Sequence, residues 1–448
     1  MSVIQGKRVL QSLLLPSDVN EPGKLVEHLW QLGLTTVWVM PATTLSRTIT
    51  SSWFESLHGR WVVIVHSNPR EPSRPSSTLL WPKGGGRQQE RRLTLALPEH
   101  AGWNWALADA RSLLATVTYL SQVLARPVID APDLVAHQLL TELTSDQPGA
   151  WLHSSTADLH ALATQTGSPI TIMERARDLV WMRPLTLAEQ RQKYLHKYTH
   201  LSWELEACMG VQLGIGAPQY SANGRAYDGQ HPGIWRINAE RAGSVFDGKR
   251  LPSCLDAEWM STPQVKCCRD IGYQVEVREG YFWPQSHTLL KRWSTRLWQA
   301  GERLQTQPQT YRHAQARANA AHTITQLAQS SVTILVQGED KQGWARPDWG
   351  EQIIGRTRAM LFAHLVSLVR KGTMPVLIDR DALWVVSNDP NPLTAAPELV
   401  AARRWKGYST GYEAPLPLSR EIKEIFRTAE HANQAILALN ALAGEIFS

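Results

Sequence analysis

Cysteine is scarce in this chain: 4 among 448 residues, at Cys208, Cys254, Cys267 and Cys268. No Cys-x-x-Cys pair occurs, and adjacent thiols such as Cys267 and Cys268 do not easily share a tetrahedral zinc site. The expectation is free thiols in a reducing compartment, hence a cytoplasmic protein. Long apolar runs are missing too. No stretch approaches the ~20 residues of a membrane span, and the patch Leu13 to Leu15 is too brief for a signal peptide. Charge of one sign is only modestly in excess, with Lys+Arg 46 against Asp+Glu 40, a net charge of +6 and a pI near 9.1. That balance permits a polyanionic partner without requiring one. A phosphate-cradling loop is also absent, since Gly84-Gly85-Gly86 is followed by neither Lys-Ser nor Lys-Thr.

What is present describes an ordinary folded protein. Apolar residues make up 43% and charged residues 19%, which argues against disorder. The length suffices for two or three domains with full cores. Tryptophan is the outlier at 19 residues. Most should anchor cores and interfaces, and a few could stack on bases.

Residues 1 to about 150 read as α/β, with strands at Val9 to Leu15, Thr36 to Met40 and Trp61 to Val65 and a helix at Lys24 to Leu32. Residues 68–99, rich in Pro, Ser, Gly and Arg, are expected to form a mobile basic loop. Helices follow at about Ala106 to Leu124 and Pro132 to Leu143. Residues 151–195 are expected to be a helical connector, closing on a Thr186/Glu189 capping box with a helix running through Tyr194. Gly210 to Pro252 suggests tight turns. Ser261-Thr262-Pro263 opens a short helix through Arg269, and Tyr273 to Val277 alternates as a strand. Further helices are expected at Leu289 to Leu304, Tyr311 to Gln329 and Glu351 to Arg370, with a helix pair in the tail after Ser419.

The stretch Val376 to Val386 carries the chemistry. Two β-prone runs, Val376 to Ile378 and Leu383 to Val386, flank Asp379-Arg380-Asp381. Strand alternation sends residues i and i+2 to one face, so both carboxylates would point the same way at a hairpin end. The pair reads either as a solvated turn or as the acidic half of a metal-dependent phosphoryl-transfer site.

Taken with its neighbours, this order of motifs resembles family B DNA polymerases, over roughly residues 194 to 410. Asp379-Arg380-Asp381 stands where that family has Asp-Thr-Asp. Upstream lie Arg346-Pro347-Asp348-Trp349 and Ile354-Gly355-Arg356-Thr357-Arg358. Trp259 to Pro263, with Gly272 to Val277 and Gly280 to Trp283, is similar to the palm segment between the family's first two motifs. Lys406-Gly407-Tyr408 resembles its Lys-x-Tyr element. The resemblance implies an α/β (α+β) fold with a polymerase-like palm and fingers at 196–415, an N-terminal ribonuclease H-like, exonuclease-like α/β domain at 1–150, and a short tail at 416–448 in place of a thumb.

The departures from the family are chemical. Its first motif, Asp-x-x-Ser-Leu-Tyr-Pro, corresponds to Thr199-His200-Leu201-Ser202-Trp203-Glu204-Leu205, so Thr199 replaces the metal-binding Asp. Two-metal phosphoryl transfer needs carboxylates on both sides of ions ~3.5–4 Å apart, and a neutral hydroxyl is a poor ligand for a hard cation. The nucleotide-gripping motif keeps a cation in Arg317, but Ile324 and Thr325 replace its Tyr and Gly. No Asp-x-Glu follows the first strand; Asp18 stands alone, and Asp130 with Asp133 sits at a helix start as capping residues do.

The reading that follows is a nucleic-acid-binding, catalytically inactive polymerase-like protein within a larger nucleoprotein assembly, on a mobile element, at a plasmid or chromosome end, or in defence. Arg292, Arg296, Arg303, Arg317, Arg403, Arg404, Lys406 and Tyr408 are its expected contacts to DNA or RNA, and it needs no cofactor. One alternative is an active nucleotidyltransferase using Asp379 and Asp381 with Mg²⁺ and an unrecognised third ligand. The other is a protein-interaction scaffold, marked by exposed tryptophans in one patch.

Overall fold

A computed structural model describes the chain apart from residues 1, 6–7, 13–20, 33, 35, 40–48, 69–70, 84–91, 99–102, 104, 106–109, 126–127, 129–130, 145–161, 163, 166–179, 201–202, 241–257, 307–313, 338–345, 380–381, 400–409, 413–414 and 448. Helices and sheets are mixed throughout, an α+β architecture. The chain divides into two compact units, residues 1–143 with 296–331 and residues 144–295 with 332–448. No helix among the described residues is long and apolar enough to cross a membrane.

The first unit holds one mixed sheet. In chain order its elements are β1 (Ser2–Gln5), β2 (Arg8–Ser12), α1 (Pro22–Gln31), β3 (Thr36–Trp38), α2 (Ser51–Glu55), β4 (Trp61–Asn68), β5 (Glu71–Pro82), β6 (Leu93–Ala96), α3 (Ala110–Leu124) and α4 (Pro132–Thr144). The strand order is β2-β1-β3-β6-β5-β4. Only the β3–β6 pair in it is parallel. Leu25, Val26 and Leu29 of α1, spaced for one helical face, pack with Val37, Phe54, Trp61, Leu80, Leu93 and Leu95 in its core.

This unit corrects the reading of 68–99 as a loop. All of β5 and β6 lie inside that stretch, and Leu80 faces Leu93 across the ladder with both fully buried. A strand needs only one apolar face, which Thr78, Leu80, Leu93 and Leu95 supply by alternation. Pro75 is accommodated where the β4–β5 register shifts, as proline in sheets usually is. Gly84 to Arg91 lies outside the described residues.

The second unit is built on a six-stranded antiparallel sheet. Its elements are β7 (Val180–Met182), β8 (Tyr194–His200), α5 (Trp203–Gly210), β9 (Leu213–Ile215), β10 (Gln219–Ser221), β11 (Gly233–Glu240), β12 (Trp259–Ser261), α6 (Thr262–Asp270), β13 (Gln274–Phe282) and β14 (Gln285–His287). After α7 (Lys291–Thr306) and α8 (Ala314–Gln337), each with residues in both units, come α9 (Pro347–Arg370), β15 (Leu377–Asp379), β16 (Ala382–Ser387), α10 (Pro392–Ala395), β17 (Thr410–Tyr412), β18 (Leu416–Pro417), α11 (Arg420–Thr428) and α12 (Ala432–Phe447). The central sheet runs β17-β8-β16-β15-β7, with β18 also pairing with β8. A second sheet runs β10-β13-β11-β12.

Central β16 is buried on both faces at Ala382 to Val385, which is why Ala-Leu-Trp-Val-Val reads as a continuous apolar run. One face packs Tyr198, Ile378, Leu383 and Val385 against Leu361, Phe362 and Leu365 of α9 and Val265 of α6. The other packs Leu195, Leu377 and Trp384 against Ile422 and Phe426 of α11 and Ile436 and Leu439 of α12. Ile422 and Phe426 are spaced i, i+4 on α11, whose start is capped by the Ser419 hydroxyl accepting from Ile422 N at 3.3 Å.

The expected helix through Tyr194 does not form. The capping box does: Thr186 N donates to Glu189 Oε2 at 2.8 Å, and Glu189 N donates to Thr186 Oγ1 at 3.3 Å. It starts a single 3₁₀ turn, Glu189–Arg191. The chain then pairs with β16 from Tyr194 to Thr199, so sheet pairing overrides the local helix signal. Helix α8 runs past the expected Gln329, because Val332 and Leu335 continue its buried face.

Candidate functional site

The carboxylate hairpin lies at one end of the central sheet, and its register sets the geometry. Asp379, the last residue of β15, pairs with Ala382 of β16. Ala382 pairs on its other side with Thr199 of β8, and Thr199 pairs with Gly411 of β17. Residues opposed in an antiparallel ladder share a face, so Asp379, Ala382 and Thr199 form one row. With strands ~4.8 Å apart, Asp379 and Thr199 are about 10 Å apart along it. Thus β8 lies directly beside β16 of the hairpin and two strands from β15. Asp381 and Arg380, at the turn, lie outside the described residues, as does Ser202.

The chemistry of that row is asymmetric. A half-buried carboxylate stands at one side, a methyl group in the middle and a hydroxyl at the other. Among the described residues no group of three or more His, Cys, Asp or Glu side chains is gathered to hold a metal ion. Along the strands, the same face continues into the apolar layer of Leu377, Trp384 and Leu195.

On the opposite face of the same sheet end is a cluster that the sequence reading did not anticipate. The His200 ring stacks on Trp203 at 3.8 Å and 11°, and His200 Nε2 lies 3.5 Å from Glu206 Oε2. His364, on α9, packs against Trp203 at 5.9 Å. His364 is pushed down to about 4, chiefly by burial, with His200 and Lys371 also lowering it and Glu206 and Glu398 opposing them. The i, i+3 spacing of Trp203 and Glu206, with Trp203 three residues after His200, was the only local hint; His364 comes from a helix about 160 residues further on.

Two features hold α9 in place, one against β9, which pairs with β14, and one against the start of α6. Arg346 makes a buried two-point pair with Asp348, at 2.6 and 2.9 Å, and stacks over Trp349 at 3.8 Å. Arg346 and the Trp349 indole N–H both donate to the carbonyl of Gly214, at 3.1 and 2.8 Å. Gly355 crosses the N-terminus of α6 so closely that a Cβ there would meet Ser261 Oγ at 1.9 Å. The glycine is a packing requirement.

At the far end of the central sheet, Arg183 closes on Glu189 through two bonds, one of 2.7 Å from Nη1 and one of 2.5 Å from Nη2. Its Nε donates to the Pro375 carbonyl at 3.1 Å. A cleft of about 680 Å³ lies here, lined by Arg183, Thr186, Glu189, Thr373 and Val386 among others. It is at the other end of the strands from Asp379.

The expected basic contacts scatter. Arg292 and Arg303 are exposed on α7. Arg296 is half-buried and donates to the Leu124 carbonyl at 2.9 Å. Arg317 lies over the Tyr119 ring at 5.1 Å, a cation–π contact that occupies its planar face. Arg403, Arg404, Lys406 and Tyr408 lie outside the described residues, as do Asp18, Asp130 and the side chain of Asp133.

No protein-family model matches the chain, and no curated protein matches it. Solved structures of a polymerase do, distantly. The chain is similar to Phi29 DNA polymerase complexed with single-stranded DNA, at 9% identity and a TM-score of 0.40, covering 73% of this chain and 66% of that one. The orthorhombic crystal form of Phi29 DNA polymerase gives 10% identity and a TM-score of 0.41, over 73% and 66%. Phi29 DNA polymerase complexed with primer-template DNA gives 9% and 0.40, over 72% and 65%. The chain spans just under two thirds of the length of these structures, and the relationship is a distant structural one.

Proposed function

We propose that this chain is a nucleic-acid-binding protein built on a polymerase-like palm that does not carry out two-metal nucleotidyl transfer. The observation that carries the reading is the sheet register: Thr199 occupies the row of Asp379, with Ala382 between them. The strand motif and the hairpin motif, 180 residues apart in sequence, converge as a palm site would require, and a hydroxyl stands where a carboxylate would bind the second side of a metal pair. Convergence favours the polymerase-like reading over a solvated turn on an unrelated framework. The hydroxyl favours loss of catalysis over an active nucleotidyltransferase. Palm and fingers at 196–415 and an exonuclease-like N-terminal domain without catalytic acids belong to this proposal, as does a place within a larger nucleoprotein assembly.

Charge supports the polyanionic partner and locates it. Lys and Arg outnumber Asp and Glu 17 to 12 in the first unit and 29 to 28 in the second, so five of the six excess charges lie in the first. Exposed Arg303 is in that unit. The scaffold reading asked for a patch of exposed tryptophan. The large hydrophobics that stand exposed among the described residues are Leu32, Ile64, Leu187, Leu393 and Leu437, and none is Trp.

Electrophoretic shift with single- and double-stranded DNA and RNA tests the binding. A strong shift at low salt that collapses as salt rises is expected, with a log–log slope of roughly 0.9 per duplex phosphate neutralised. No shift at low salt removes the reading.

A further inference from the structure

We draw no further inference here: the strongest candidate, the cleft at the β18 end of the central sheet lined by Arg183, Thr186, Glu189, Thr373 and Val386 among others, carries nothing, because Arg183, Thr186 and Glu189 bond one another across it and nothing in the structure shows what would occupy it.

Discussion

The two ends of the central sheet treat charge differently. At the end near β18, the Glu189 carboxylate accepts two bonds from Arg183 and two from Thr186. Although burial works against ionisation, the Arg183 bonds and the Thr186 bonds hold its carboxyl below the usual range. At the hairpin end, the row from Asp379 to Thr199 sets a single carboxylate against a hydroxyl. One end is a closed ion pair that staples a turn to the sheet. The other sets one carboxylate beside a methyl group and a hydroxyl, with no gathered group of metal ligands among the described residues.

Breaking the closed end should have the largest effect. Glu189→Ala leaves the nearly buried Arg183 guanidinium without its counter-charge, and loss of about 3–5 kcal/mol is expected in urea unfolding. Phe426→Ala, which opens the apolar cover over the same sheet, should cost about 3–5 kcal/mol in the same assay. A smaller loss from either would mean that the tail helices or the staple are dispensable to the sheet.

Acid should act through histidines whose charged form burial disfavours. His364 is held down to about 4 by burial, and His196 is also lowered, by burial, against the opposing Asp389 carbonyl bond. An unfolded histidine titrates near 6.5, so below that pH the unfolded chain binds more protons than the folded one. Stability should be fully present above about pH 6.5 and fall progressively toward pH 4, by roughly 3 kcal/mol for His364. Lys371, Glu398, His200 and Glu206 all face this group, so the comparison is made with His364→Gln, which should flatten the acid limb of the melting curve.

Completing the anion set should sharpen the contrast from the other side. Thr199→Asp should fold, and Mn²⁺ at tenfold over its dissociation constant should then stabilise it by about 1.4 kcal/mol, with no shift in the wild type. A matching shift in both proteins would mean that the native row already holds a cation. The smallest effect expected is on binding: Arg303→Ala should reduce the salt slope for duplex DNA by about one.

Much of this was legible in sequence, for reasons that differ by element. The hairpin showed as two apolar runs separated by Asp-Arg-Asp, and the start of α6 as Ser261 before Pro263, whose Gln264 side chain accepts from Ser261 N at 3.0 Å. Strand β8 was hidden because Thr186 and Glu189 form a true capping box whose helix stops after one turn; only the partner strand, 190 residues away, decides its conformation. Strand β5 was masked by its serines and prolines, whose strand pairing, with a register shift at Pro75, is fixed by a partner distant in sequence. The His200–Trp203–Glu206–His364 cluster left only the i, i+3 spacing of Trp203 and Glu206 in sequence, because stacking on His364 of a distant helix leaves no periodicity.

Primer extension by the full chain, with Mg²⁺ or Mn²⁺ and all four nucleotides, tests most directly whether the row of Thr199 and Asp379 has lost its chemistry. The account predicts no product above that of an Asp381→Ala control. Extension that the Asp381→Ala substitution abolishes would contradict it, and would place a third metal ligand at this sheet end.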